Sequence, residues 1–200
     1  MHTKQLALII VLSMFLIGGT MSSFAQYTAN QQYDVRASIP QQNGFTVTIN
    51  RVQGTTWSTR SSVDFGSLFF DGVNNIFLSN YYYAVDVGVL ANLPNWSIKH
   101  TTTPVVNTTI PGETLDSHIN VSFVKQLDAA TAAPLDKVTY ANSNNKVYTK
   151  DQLLDGWLRI YYGIATGEPG KDAPGASPIG ISTPSGTYLG QVTLTLFQTP

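Results

Sequence analysis

The stretch Gly186-Thr-Tyr-Leu-Gly-Gln-Val-Thr-Leu-Thr-Leu-Phe-Gln-Thr-Pro200 decides how this chain is read. In an extended backbone Tyr188, Val192, Leu194 and Leu196 fall on one face with the small Gly190 between them, while Gln191, Thr193 and Thr195 fall on the other. Successive side chains of a strand point to opposite faces, so this alternation predicts one long, half-buried strand. Pro184-Ser-Gly186 supplies the turn that launches it. Such a strand needs a sheet whose other members come from earlier in the chain.

Those members are found by the same pattern. Tyr33, Val35, Ala37 and Ile39 alternate with Asp34, Arg36 and Ser38 and stop at Pro40; Gln41 to Gly44 then reads as a turn into Phe45, Val47 and Ile49. The strongest internal strand is Tyr81 to Leu90, with Tyr81, Tyr83, Val85, Val87 and Val89 on one face. Trp96, Ile98 and His100 form another, and Ile119, Val121 and Phe123 a further one. A short edge strand is expected at Lys146 to Tyr148, a turn of helix at Lys150 to Leu154, and a strand again at Trp157 to Ala165. Gly54 to Ser62, with Trp57, reads as a polar connection, and Val63 to Leu68 as an apolar segment interrupted at Gly66. Short strands separated by turn signals, with no long helix, predict an all-β fold: an antiparallel Greek-key, Ig-like β-sandwich. Val85, Val87, Val192, Leu194 and Leu196 are the expected core.

Residues 1–25 read as a secretory signal: Lys4, an apolar run from Leu6 to Ile17, and Ser23-Phe24-Ala25 with small residues where signal peptidase cuts. The apolar run is shorter than the roughly 20 residues a bilayer core requires, so no integral span is expected once the signal is removed. Residues 26–200 are then one β-sandwich domain, secreted or extracellular and placed at the cell surface, or in the periplasm. The sequence contains no Cys, which excludes a thiol nucleophile and a zinc-thiolate site. Of eleven Lys and Arg one is Lys4, so ten face twelve Asp and Glu, without a basic cluster to neutralise phosphates. Nucleic acid is therefore not an expected partner.

Catalytic groups are few. Outside the leader there are two His, His100 and His118, and two Glu, Glu113 and Glu168. His100 reads as a strand-end residue at the sandwich rim and His118 as a surface residue. No G-x-S-x-G elbow is present. Asp71 to Asn75 and Glu168 to Asp172 hold oxygen ligands, but turn chemistry accounts for both. The expectation is a non-enzymatic protein with no cofactor and no metal. Tyr81-Tyr82-Tyr83 and Tyr161-Tyr162 put rings on the outer face, and Tyr82 and Tyr162 are candidates for stacking on sugars or on a partner. Asn95, Asn107 and Asn120 begin formal glycosylation sequons.

The terminal pattern Tyr188-x-x-x-Val192-Thr193-x-x-Leu196-x-x-x-Pro200 resembles the distal motif of WxL domains, the cell-wall-binding modules of secreted bacterial proteins. Val63-Asp-Phe65-Gly66 resembles their early FG segment, and Trp96-Ser-Ile98 their Trp-x-aliphatic motif; Leu194 stands where the family has its distal Trp. The FG segment and the terminal Gly-Thr-Tyr…Val-Thr-Leu strand are also similar to spore coat protein U and secreted fimbrial-type subunits, which often carry Cys pairs. The first resemblance implies a wall polymer or glycan as partner. The second implies a structural, pilus- or coat-like subunit whose partner is another copy. In that reading Tyr33, Val35 and Ile39 belong to a strand given to the neighbour.

Overall fold

The computed structural model describes residues 36–38, 44–125, 134–153 and 156–199. Contacts divide the chain into two units, Met1–Ile39 and Pro40–Pro200. Of the first, Arg36, Ala37 and Ser38 are described; they are exposed and belong to no strand. The rest of the predicted Tyr33 to Ile39 strand, the predicted signal and Pro200 lie outside the described residues.

The second unit is built of antiparallel strands. The larger sheet runs β2 (Thr56–Arg60), β1 (Phe45–Gln53), β5 (Tyr82–Val89), β11 (Trp157–Ile164), β8 (Ile119–Lys125), β9 (Asp136–Thr139). A three-stranded sheet runs β10 (Lys146–Thr149), β6 (Trp96–Thr102), β14 (Val192–Gln198). Short pairings complete the set: β12 (Ile179–Gly180) with β4 (Ile76–Leu78) and β3 (Phe69–Asp71), and β13 (Tyr188–Leu189) with β7 (Val106–Asn107). From β5 to β6, β6 to β8, β9 to β10, β10 to β11 and β11 to β14 the chain passes between the two main sheets, the crossovers of a Greek-key sandwich.

The two main sheets pack face to face. Val85 and Val87 of β5, Val121 and Phe123 of β8 and Leu158 and Ile160 of β11 are buried against Ile98 and His100 of β6 and Tyr148 of β10. The Phe123 ring lies 5.0 Å from both His100 and Tyr148, edge-on to the imidazole. Each such side chain contributes about 1.5–3 kcal/mol by leaving water.

The structure revises several readings. The terminal stretch is two strands, not one: Tyr188–Leu189 pairs with β7 and Val192–Gln198 with β6, and between them lies Gly190, where a Cβ would lie 2.8 Å from Val105 Cγ2 and 3.1 Å from the Pro104 carbonyl oxygen. Gln191 then anchors the second strand, its carbonyl accepting from Thr103 N–H at 2.9 Å. Leu194 and Leu196 do pack against the core, but Val192, opposite Thr102 at the sheet's end, is 40% exposed and leaves the core list. The supposed polar connection around Trp57 is strand β2, a hairpin partner of β1 turned by Gly54 at φ +59°. His100 is fully buried, not at the rim, because it points inward beside Ile98 and meets Phe123 and Tyr162 of the opposite sheet.

Candidate functional site

Register assigns every side chain of the larger sheet to a face, since directly opposed residues share one. On the inner face Val47 of β1 is paired with Val87 of β5, and Ile49 with Val85. Val87 is fully buried, yet Val47 is 44% exposed. Three strands lie against six, and Val47 is left less covered than Phe45 and Ile49, which flank it on the same face and pack against the core. β14 pairs with β6 on one edge, and among the described residues nothing pairs with its other edge. Its inward side chains Leu194 and Leu196 are accordingly only half-buried. An open strand edge with half-covered leucines on the smaller sheet and the bare Val47 on the larger one are the uncovered features of the two inner faces.

The other notable surface is the outer face of the same sheet. Val52 is opposed by both Trp57 and Tyr82, Ala84 by Asn50 and Tyr161, Asp86 by Thr48 and Arg159, and Gly88 by Thr46 and Trp157. Trp57 and Tyr82 are 45% and 40% exposed, whereas Val52, Ala84 and Val124 beneath this layer are buried. Arg159 donates from Nε to Asp86 Oδ1 at 2.5 Å and from Nη2 to Oδ2 at 2.9 Å, a two-point pair whose side chains are only 11% and 13% exposed. The same guanidinium lies 5.0 Å from the Trp57 ring and 5.9 Å from the Tyr161 ring. Tyr161 is in turn 5.9 Å from Tyr82, centroid to centroid. Trp157 lies against Gly88, where an added Cβ would come within 2.6 Å of its indole, so the ring occupies the space a side chain at 88 would take.

Tyr162, a candidate for the outer face, is on the inner one; the alternation of β11 puts Tyr161 outward instead. Its hydroxyl is 2.8 Å from His100 Nε2, while His100 Nδ1 is 2.9 Å from the Ser143 carbonyl. A carbonyl only accepts, so Nδ1 carries the proton and Nε2 accepts from Tyr162. Burial lowers the His100 pKa, with the Ser143 carbonyl partly opposing it, and burial raises that of Tyr162. This neutral pair is a buried structural link, closed to substrate.

The motif residues are mostly structural. Phe65 packs edge-on against Tyr83, 5.5 Å away. Gly66, at φ +57°, donates its N–H to Asp64 Oδ1 at 2.8 Å, and the Tyr81 and Tyr83 hydroxyls donate to the Phe65 and Asp64 carbonyls. Trp96 and Ile98 are core residues; Ile98 is paired with Leu196, and Trp96 with Gln198, so these two motif pieces are brought side by side. Tyr188 donates to the Pro184 carbonyl at 2.7 Å, and Thr193 is exposed on β14. Tyr82 alone of the proposed partner residues is both described and outward. Tyr33, Val35 and Ile39 lie outside the described residues.

The oxygen-bearing turns are occupied by the chain itself. Asp71 accepts from Val73 N–H and the Asn74 amide, and Asp172 from the Thr166 and Gly167 N–H groups and the Asn120 amide. Among the described residues no group of three or more His, Cys, Asp or Glu could hold a metal ion, and no helix is long and apolar enough to cross a membrane. Asn107 is buried with its Oδ1 accepting from Thr109 and Ile110, and Asn120 is tied to Asp172 and Ala173, so of the three sequons only Asn95 stands exposed.

Sequence reading missed Trp57, Asp86 and Arg159. The available signal was charge: Asp86 and Arg159 are acid and base at outward positions of two strongly alternating strands. No protein-family model, curated protein or solved structure matches this chain.

Proposed function

We propose that this is an exported, non-enzymatic surface protein that assembles with copies of itself by strand addition. The observation that carries the reading is the open edge of β14 with its half-buried Leu194 and Leu196; the exposed Val47 is the apolar surface the reading assigns to the added segment. An extended segment added there gains a row of backbone hydrogen bonds and covers apolar side chains at alternate positions. The segment Tyr33, Val35, Ala37, Ile39 has the required alternation, and its described part, Arg36 to Ser38, is exposed. The occupant is this segment of a second copy. Low, evenly spread charge offers little repulsion to an approaching copy. Sedimentation and electron microscopy of the chain from Gln26 onward, with and without residues 26–41, test this: oligomers or filaments are expected in the first and monomers in the second. A monomeric full chain at all concentrations contradicts the reading.

A second reading, a wall- or glycan-binding surface module, is favoured by the aromatic outer face of the larger sheet. The two readings use opposite faces of that sheet and do not compete for the same residues.

A further inference from the structure

We infer that the outer layer formed by Trp57, Tyr82, Tyr161, Arg159 and Trp157 is a stacking site for a neutral carbohydrate chain. The inference rests on the second reading above and is independent of self-assembly. Aromatic rings on a water-facing sheet are ordinary when scattered, but these are joined: Tyr82 to Tyr161, Tyr161 to Arg159 and Arg159 to Trp57 are each within 6 Å. They stand over small or buried residues, Gly88, Ala84 and Val52, with the Tyr82 and Tyr161 rings tilted 59° to each other. A joined, partly exposed aromatic surface offers ring faces to the C–H face of a pyranose ring.

Charge selects among ligands. The only ionic groups in the layer, Arg159 and Asp86, neutralise each other through two hydrogen bonds and are nearly withdrawn from water. An anionic ligand, whether a nucleic acid or a uronic-acid polymer, therefore finds no free cation here. The polar groups beside the rings on β1 and β2 are neutral, Thr48, Asn50 and Thr59, with Thr59 Oγ1 3.3 Å from Asn50 Oδ1, while Lys137, two strands from Tyr161 on the same face, donates to the Gly170 carbonyl at 3.0 Å. Neutral hydroxyls and an amide beside stacking rings match a chain of neutral sugars.

Titration with soluble β-1,4-linked hexasaccharides of N-acetylglucosamine and of glucose, read by indole emission, tests the site, with hexagalacturonate as the anionic probe. At least one neutral hexasaccharide is expected to shift the emission with a dissociation constant below about 1 mM, and the anionic probe to leave it unchanged. Trp57→Ala and, with less loss of cover over the sheet, Tyr82→Ala are expected to weaken binding at least tenfold while keeping the wild-type melting temperature within a few degrees. No response to either neutral sugar, or equal affinity in both variants, overturns the proposal. Co-sedimentation with insoluble peptidoglycan separates the two levels: wild type and Trp57→Ala sedimenting equally would retain a wall-binding module but remove this face from it. Binding to neither sugar nor wall polymer would remove both. Loss of self-association in Trp57→Ala, with no sugar binding, would assign the face to a second copy and also overturn the proposal.

Discussion

Val47 and Val87 are opposed residues of one register, the same side chain on the same face of adjacent strands, yet one is 44% exposed and the other not at all. Val47 is also less covered than Phe45 and Ile49, the β1 residues on either side of it on the same face, which pack against the core. Replacing Val87 by Ala should cost about 1.5–3 kcal/mol in chemical denaturation, the loss expected for a fully buried aliphatic group. Val47→Ala should fall within about 0.5 kcal/mol of wild type for the monomer. Equal losses at the two positions would mean that the inner flank of β1 is covered after all.

Val47→Asp carries the same contrast into assembly. The carboxylate is tolerated in the monomer because Val47 meets water, but it would have to be desolvated beneath an added strand, at a cost of several kcal/mol. The expected outcome is an unchanged melting temperature in dilute protein and loss of oligomers in sedimentation velocity. Oligomers as abundant as in wild type would place self-association elsewhere.

The Asp86–Arg159 pair is almost withdrawn from solvent, so removing one partner should leave an uncompensated charge. Asp86→Ala is expected to cost about 3 kcal/mol, and the double replacement with Arg159→Met less than the sum of the single ones. Additive losses in a double-mutant cycle would show that the two-point pair is not a coupled unit.

Burial lowers the folded-state pKa of His100 below its ordinary value. The unfolded chain then takes up the proton first as pH falls, so stability is fully present above the unfolded value near 6.5 and declines as pH drops toward the folded one. Melting temperature should therefore fall between pH 7.5 and pH 5, and more steeply in wild type than in His100→Gln. Identical slopes would show that the imidazole is not held neutral. At the alkaline end, burial pushes the Tyr140 hydroxyl up to about 12, so a 295 nm titration should leave it un-ionised after exposed tyrosines have titrated.

Much of this architecture was legible because period-two alternation survives wherever one face is buried and the other wet. Tyr83, Val85 and Val87 on β5 and Ile119, Val121 and Phe123 on β8 follow it. It failed where partners, not pattern, decide. β2 is a hairpin edge with no buried face of its own, so Thr56–Arg60 carries no alternation to read. The break at Gly190 lies against Pro104 and Val105, distant in sequence. Tyr161 and Tyr162 are chemically alike, and only the register of β11 between β5 and β8 determines which faces water. The outer aromatic layer is half legible: the alternation points to Tyr82 but to Tyr162 in place of Tyr161, and Trp57 reaches Arg159 across three strand spacings, a proximity that exists only in the folded sheet.

The most direct test of strand addition is amide hydrogen exchange across Val192 to Gln198 as a function of protein concentration, in the chain from Gln26 onward and in the chain lacking residues 26–41. If the segment of one copy pairs with β14 of another, exchange of the β14 amides that face away from β6 should slow as concentration rises, and remain fast at every concentration in the truncated chain. Protection that is already complete in dilute protein would mean that the segment pairs within its own copy. Amides that stay fast in the full chain at high concentration would contradict strand addition at β14 altogether.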